Sequence, residues 1–309
     1  MTSPLQSLSL PDFPKLRLTL SDVRLLDRSD RPVASALEQA SALRQRLNDS
    51  LSTSSAPLDF EGLHIGNEFC ERLLPSAAQL RRAAAWCDEH GRNLTLVTPL
   101  LADRGIQQLT VLLPLLPPQS EVVCNDFGVI HLLRDRFPAL QPIAGRQLVK
   151  MIKDPRLPSA TWAAATPPGM RSSLFAAFME RLGISRLETE VRPFPQEDDL
   201  KPCGLRLSVH FPYGYILKGR ICKPGSMHLE PNRKFTPGHT CRKECLTYFS
   251  RMERTRPKSS GELDSFMRGN TIFYRYGEEQ LELISRAIEK GWIEHLIIPG
   301  DWHENRRPD

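Results

Sequence analysis

Residues 76–98, SAAQLRRAAAWCDEHGRNLTLVT, decide how this chain is read. From Ser76 to His90 the apolar residues recur at helical spacing. Ser76 or Pro75 opens the segment and Gly91 stands just past its end. Leu94 to Thr98 then reads as a strand and stops at Pro99. The same unit recurs downstream. Asp103 to Leu113 is a helix and Glu121 to Cys124 a strand. Asp126 opens the helix Phe127 to Arg136, and Leu140 to Ala144 is a strand closed by Gly145-Arg146. Upstream, Leu16 to Leu20 alternates as a strand, Ala34 to Leu51 is helix-like, and Leu58 to Ile65 is a strand ending at Gly66. Further on come the helix Ser172 to Leu182, the strands Arg186 to Val191 and Leu205 to Phe211, the helix Gly277 to Lys290 and a last strand, Ile293 to Ile298. Strands alternating with helices predict an α/β fold with a parallel sheet covered by helices. Six to eight such units favour a closed (β/α) TIM-barrel-like single domain over an open doubly wound sheet. No Gly-x-Gly-x-x-Gly follows the first strand, and no P-loop, His-Glu-x-x-His or Gly-x-Ser-x-Gly is present. The expected layout is a disordered tail over 1–15 and a barrel over 16–309. A long cysteine-bearing insertion at 212–270, rich in Pro, Gly and basic residues, is placed at the rim where the strands end.

The chain has 309 residues, enough for a full core, and a formal net charge of +5. Basic residues concentrate late, among them Arg233, Lys234, Arg242, Lys243, Arg251, Arg254, Arg256 and Lys258. A solvated surface accounts for them. The sharper reading is a face toward a small anionic substrate or RNA, with little aromatic interleaving to support RNA. No stretch approaches the roughly 20 apolar residues of a membrane span. The first fifteen residues lack the apolar run of a secretory signal. The expectation is a cytoplasmic protein with neither membrane insertion nor DNA binding.

Seven cysteines without a signal fit a reducing compartment, where clustered thiols bind metal more often than they pair. Cys222, Cys241 and Cys245 fall within 24 residues. The four-residue spacing of the last two can grip a soft metal centre. A fourth thiol must then come from elsewhere. Cys70 follows a strand end and so sits on a βα loop at the same rim as the insertion, and Cys203 is a second candidate. Cys87, in the middle of a helix, and Cys124, at the end of a strand, read as buried packing. Thiols alone leave zinc and iron–sulfur both open.

Three segments carry a resemblance to a known family. Residues 63–72, LHIGNEFCER, run from a strand end through Gly66 to Cys70 and Arg72. Residues 121–129, EVVCNDFGV, form a strand followed by a polar-Asp-x-Gly turn. Val209-His210, Tyr213-Gly214 and Gly219-Arg220-Ile221-Cys222 precede Cys241-x-x-x-Cys245. Together these resemble the peptidase U32 family, and most closely its ubiquinone-biosynthesis V-type, iron–sulfur members, over roughly 58–250. The stretch from Cys222 to Cys241 is longer than in the family pattern, and Arg72 follows Cys70 by two positions rather than three. The resemblance implies a barrel carrying a 4Fe–4S cluster on Cys70, Cys222, Cys241 and Cys245. It also implies a part in oxygen-independent hydroxylation of a quinone precursor or of RNA bases, with prephenate implicated as the oxygen source and a second U32-type chain as partner. The competing readings are a non-catalytic iron–sulfur or zinc scaffold or electron-transfer partner, and a peptidase. Arg72, Asp126, Arg146, His210 and Arg220 are the candidates for holding substrate: the guanidinium forks of Arg72 and Arg220, close to proposed ligands, suit an anionic substrate, and Asp126, Arg146 and His210 stand at the rim. No catalytic residue is assigned. The histidines show no recognisable spacing to a Ser or Asp.

Overall fold

The computed structural model describes residues 12–27, 30–47, 57–149, 151–153, 160–219, 222–234, 236, 240–251 and 263–302. Eight parallel strands close into a barrel: β1 (Lys15–Leu20), β2 (Phe60–Gly66), β3 (Asn93–Thr98), β4 (Glu121–Cys124), β5 (Gln141–Ala144), β6 (Arg186–Thr189), β7 (Arg206–His210) and β12 (Ile293–Pro299), which returns to β1. The helices are α1 (Arg31–Gln45), α2 (Ala77–Glu89), α3 (Asp103–Leu112), α4 (Phe127–Arg136), α5 (Ala160–Ala165), α6 (Ser173–Arg181) and α7 (Glu278–Glu289). The fold is therefore the expected (β/α) barrel. Helix α1 starts at Arg31, three residues before the expected Ala34, because Pro32 is compatible with a first helical turn.

Local chemistry sets the elements. In α2, Ser76 accepts from the Gln79 backbone N–H and Gln79 caps the Ser76 N–H in return. Gly91, at φ +62°, then lets the Arg92 N–H reach back to the Cys87 carbonyl. Leu80, Ala83 and Cys87, three and four positions apart, form the buried face. Helix α7 ends in the same way at Gly291, with the Trp292 N–H on the Ala287 carbonyl.

Alternation along the strands sends one set of side chains to the helices and the other into the barrel. Leu96 and Val122 belong to the large outer core, whereas Val97, Val123 and Ile143 form a separate apolar layer on adjacent strands. Much of the rest of the interior is polar. Arg17, His64, Thr95, Arg186, Glu188, Ser208, His210 and His295 are all buried.

The insertion is more structured than expected from sequence. Between β7 and β12 lies a second, four-stranded antiparallel sheet: β8 (Tyr213–Lys218), β9 (Ser250–Arg251), β10 (Ser265–Arg268) and β11 (Thr271–Arg275), in the order β8-β11-β10-β9. Gly269 at φ +62° and Asn270 make the β10–β11 hairpin turn. Phe69, Tyr213, Phe266 and Phe273 pack into an aromatic cluster that joins this sheet to the β2 loop.

Candidate functional site

Cys70, Cys222, Cys241 and Cys245 line one open cleft of about 1190 Å³ at the C-terminal rim. One thiol comes from the loop after β2 and three from the insertion. Asn67 shapes the first loop: its side-chain oxygen accepts from the Phe69 and Cys70 N–H groups at 2.9 and 3.0 Å. Asn270 then ties that loop to the insertion, donating to the carbonyls of Phe69 and Gly219 at 3.1 and 3.0 Å. Arg268 holds the third part. Its guanidinium donates to the Cys245 carbonyl and forks onto Asp301 beyond β12, and Asp301 also accepts from the Ser21 N–H after β1.

The surroundings of the sulfurs are built for close approach. Backbone N–H groups of Gly225 and Lys243 donate to the sulfurs of Cys222 and Cys241, each at 3.3 Å. A Cβ on Gly225 would lie 3.2 Å from the Cys222 sulfur and 3.4 Å from that of Cys241. The missing side chain thus leaves a cradle between two thiols. Among the described residues, no three cysteine sulfurs lie within 4.8 Å of one another. A single tetrahedral zinc with Zn–S bonds of about 2.3 Å would draw its sulfurs to about 3.8 Å. Burial pushes the thiols of Cys70 and Cys222 up, and that of Cys245 up to about 12. None of these three is primed as a free nucleophile.

The other cysteines lie apart. Cys87 is buried in α2, Cys124 is fully buried at the end of β4, and Cys203 donates to the Arg171 carbonyl. Arg72 is exposed beside the thiols, and Lys218 lines the same cleft. Asp126 is the N-cap of α4, accepting from the Gly128 N–H at 2.7 Å and the Leu101 N–H at 3.2 Å. Arg220 lies outside the described residues, as do Arg254, Arg256 and Lys258 of the basic stretch.

Arg146 and His210 belong to a second centre, the barrel mouth. Arg146 is 3% exposed. It forks onto Glu68 at 2.9 and 2.7 Å and reaches Glu190 at 2.9 Å. Lys153 also pairs with Glu190, and burial brings its ammonium down to about 8. Glu188 lies between two imidazoles, with His64 Nε2 at 2.8 Å on one oxygen and His210 Nε2 at 2.9 Å on the other. Despite its burial, those imidazoles hold Glu188 well below the usual carboxylate range. A small cavity over these groups has room for about one water. Asn67, Phe69 and Trp302 line both this cavity and the thiol cleft. The two centres therefore share these three lining residues.

A third polar group occupies the opposite end. Ser208 Oγ lies 3.4 Å from His295 Nδ1, and His295 Nε2 lies 3.0 Å from Glu61. The order is that of a hydrolytic triad, assembled from strands far apart in sequence. Burial, reinforced by Arg17 and Arg186, pushes His295 down to about 3. It is therefore a poor general base, and it sits at the N-terminal end of the barrel, where such folds keep stability residues. The consequence is a pH effect. Below the unfolded imidazole pKa of about 6.5 the unfolded chain takes up a proton that the folded chain refuses. Stability then falls with pH by about 1.4 kcal/mol per unit from this group. His295→Gln is expected to flatten the pH dependence of the urea midpoint between about pH 6.5 and 4.5, a window above most carboxylate titrations. Parallel profiles for the two proteins would refute this.

The fold and the site thus define a (β/α) barrel with a four-thiol cleft at its C-terminal rim. No protein-family model and no curated protein matches the sequence. A solved structure titled "The Structure of the U32 Peptidase Mk0906" is similar over 96% of both chains, at 11% sequence identity and a TM-score of 0.42. That likeness is too slight to carry any statement about this chain, whose barrel rests on its own strand pairing. Among the described residues, no helix is long and apolar enough to cross a membrane.

Proposed function

We propose that this chain is an iron–sulfur protein in which Cys70, Cys222, Cys241 and Cys245 hold one 4Fe–4S cluster beside the barrel mouth. The observation that carries this is the convergence of a thiol from the β2 loop with three from the insertion on one cleft. The donor set fits the group. It offers four soft ligands, two N–H groups aimed at sulfur and a glycine cradle. Such a cluster would supply single electrons. The chain's own residues would set its surroundings: Arg268 fixes the Cys245 backbone, Arg72 and Lys218 offer positive charge, and Phe69 and Trp302 separate the thiols from the mouth.

The resemblance to U32 iron–sulfur proteins supports a role in oxygen-independent hydroxylation or a related biosynthetic modification, with a small anionic substrate and a second chain of similar type. The decisive measurement is iron and acid-labile sulfide in protein purified without air. About four of each per chain, with a brown colour that air bleaches, is the expected result. Stoichiometric zinc and no sulfide from an iron-replete preparation would refute the cluster.

A further inference from the structure

Glu68, from the β2 loop, Glu188, on β6, and His210, on β7, bring their ligand atoms within 4.8 Å of one another, and all three are buried. They converge from three strand ends at the mouth, where barrels of this type assemble their chemistry. His210 Nε2 is 2.9 Å from Glu188 Oε2 and 3.8 Å from Glu68 Oε1. These separations bracket the roughly 3.0–3.4 Å between ligand atoms that an ion at about 2.1 Å from each would impose.

The charges around them do not balance. Among the described residues, the mouth holds four buried carboxylates, Glu68, Glu188, Glu190 and Asp301, against three buried cations, Arg146, Lys153 and Arg268 on Asp301. Arg146 spans Glu68 and Glu190, and Lys153 pairs with Glu190. Glu188, 1% exposed, is paired among the described residues only with the imidazoles of His64 and His210. A carboxylate so buried needs a positive partner.

We propose that Glu68, Glu188 and His210 form a divalent transition-metal site in the barrel mouth, distinct from the thiol site. Imidazole with carboxylates suits Mn(II), Fe(II) or Zn(II), whereas the thiols select softer centres. The supporting contacts are in place. His64 fixes the second oxygen of Glu188, and Arg146 fixes Glu68, as outer partners fix metal ligands elsewhere. Glu68 and His210 line the small mouth cavity, so the ion's open positions would face it. Water or an anionic oxygen of a substrate would bind there.

The test uses Mn(II), which binds oxygen and nitrogen ligands and has little affinity for thiols. Anaerobically purified full-length chain is dialysed against EDTA and titrated with Mn(II), followed by the EPR signal of free ion and by calorimetry. One Mn(II) per chain is expected. Glu188→Gln and Glu68→Gln, close isosteres checked for folding by circular dichroism, should each weaken binding by at least about 100-fold, and His64→Gln by about 10–100-fold. Cys70→Ser should leave Mn(II) affinity unchanged while losing iron and sulfide, so failure here and failure of the cluster reading give different results. No stoichiometric uptake by folded wild-type chain, or wild-type affinity in Glu188→Gln, would overturn the site.

Discussion

Replacing any one of Cys70, Cys222, Cys241 or Cys245 by alanine is expected to reduce bound iron to below about a tenth of the wild-type content, because a cubane left on three thiolates exposes an iron to solvent. Cys70→Ala is the most informative of the four. A metal held only by the local segment 222–245 would survive it, whereas a centre bridging the β2 loop and the insertion would not. The bridge is already built in polypeptide, since Asn270 donates to both Phe69 and Gly219 and thereby holds the two thiol-bearing segments together. Cys87→Ala and Cys203→Ala serve as controls. Their side chains sit in the helix layer and against the Arg171 carbonyl, away from the cleft, and iron content should be unchanged. Full iron in Cys70→Ala would move the fourth ligand elsewhere and break the proposed set.

The fold was legible because its signals are local. Ser76 with Gln79 and Gly91, or Asp126 before Phe127, announce helix ends through their own side chains and backbone, with no help from distant parts of the chain. The insertion's sheet departs from the loop expected there, although SFMR and TIFYR flank Gly269-Asn270, a two-residue hairpin signal. The cysteine pattern obscured it by reading as a loop. The barrel mouth was harder. Arg146 and His210 stand at strand ends and are legible as rim candidates, but nothing in the sequence pairs them with Glu68, Glu188, Glu190 and Lys153. One signal was available. Arg186 and Glu188 alternate along β6 of a parallel barrel, where both faces are buried, and Glu190 continues the alternation one residue past its end. Charges at period two in such a strand point inward, so a polar interior was written in the RLETE stretch. Which histidine would meet Glu188 was not written there, since His64 and His210 come from different strands and only closure of the barrel brings them together.

Arg146 is expected to be the residue on which the mouth's stability depends most. Its guanidinium serves two carboxylates at once, Glu68 through a fork and Glu190 through the remaining nitrogen, while lying against the rings of Phe69 and Tyr215. Arg146→Met keeps much of the stem's packing but, in the metal-free chain and among the described residues, leaves Glu68 with the His210 imidazole at 3.8 Å and Glu190 with Lys153 alone. Removing one partner of such a buried network costs about 3–5 kcal/mol, because the charges left behind stay desolvated. A large drop in the urea midpoint at neutral pH follows. The loss has a specific cure. Adding Glu68→Gln to Arg146→Met removes the orphaned charge and should recover a substantial part of it, although each change alone destabilises. That sign of coupling separates electrostatic orphaning from lost packing, which a second substitution would deepen. Additive losses in the double variant would show that Arg146 holds the mouth by packing, not by charge.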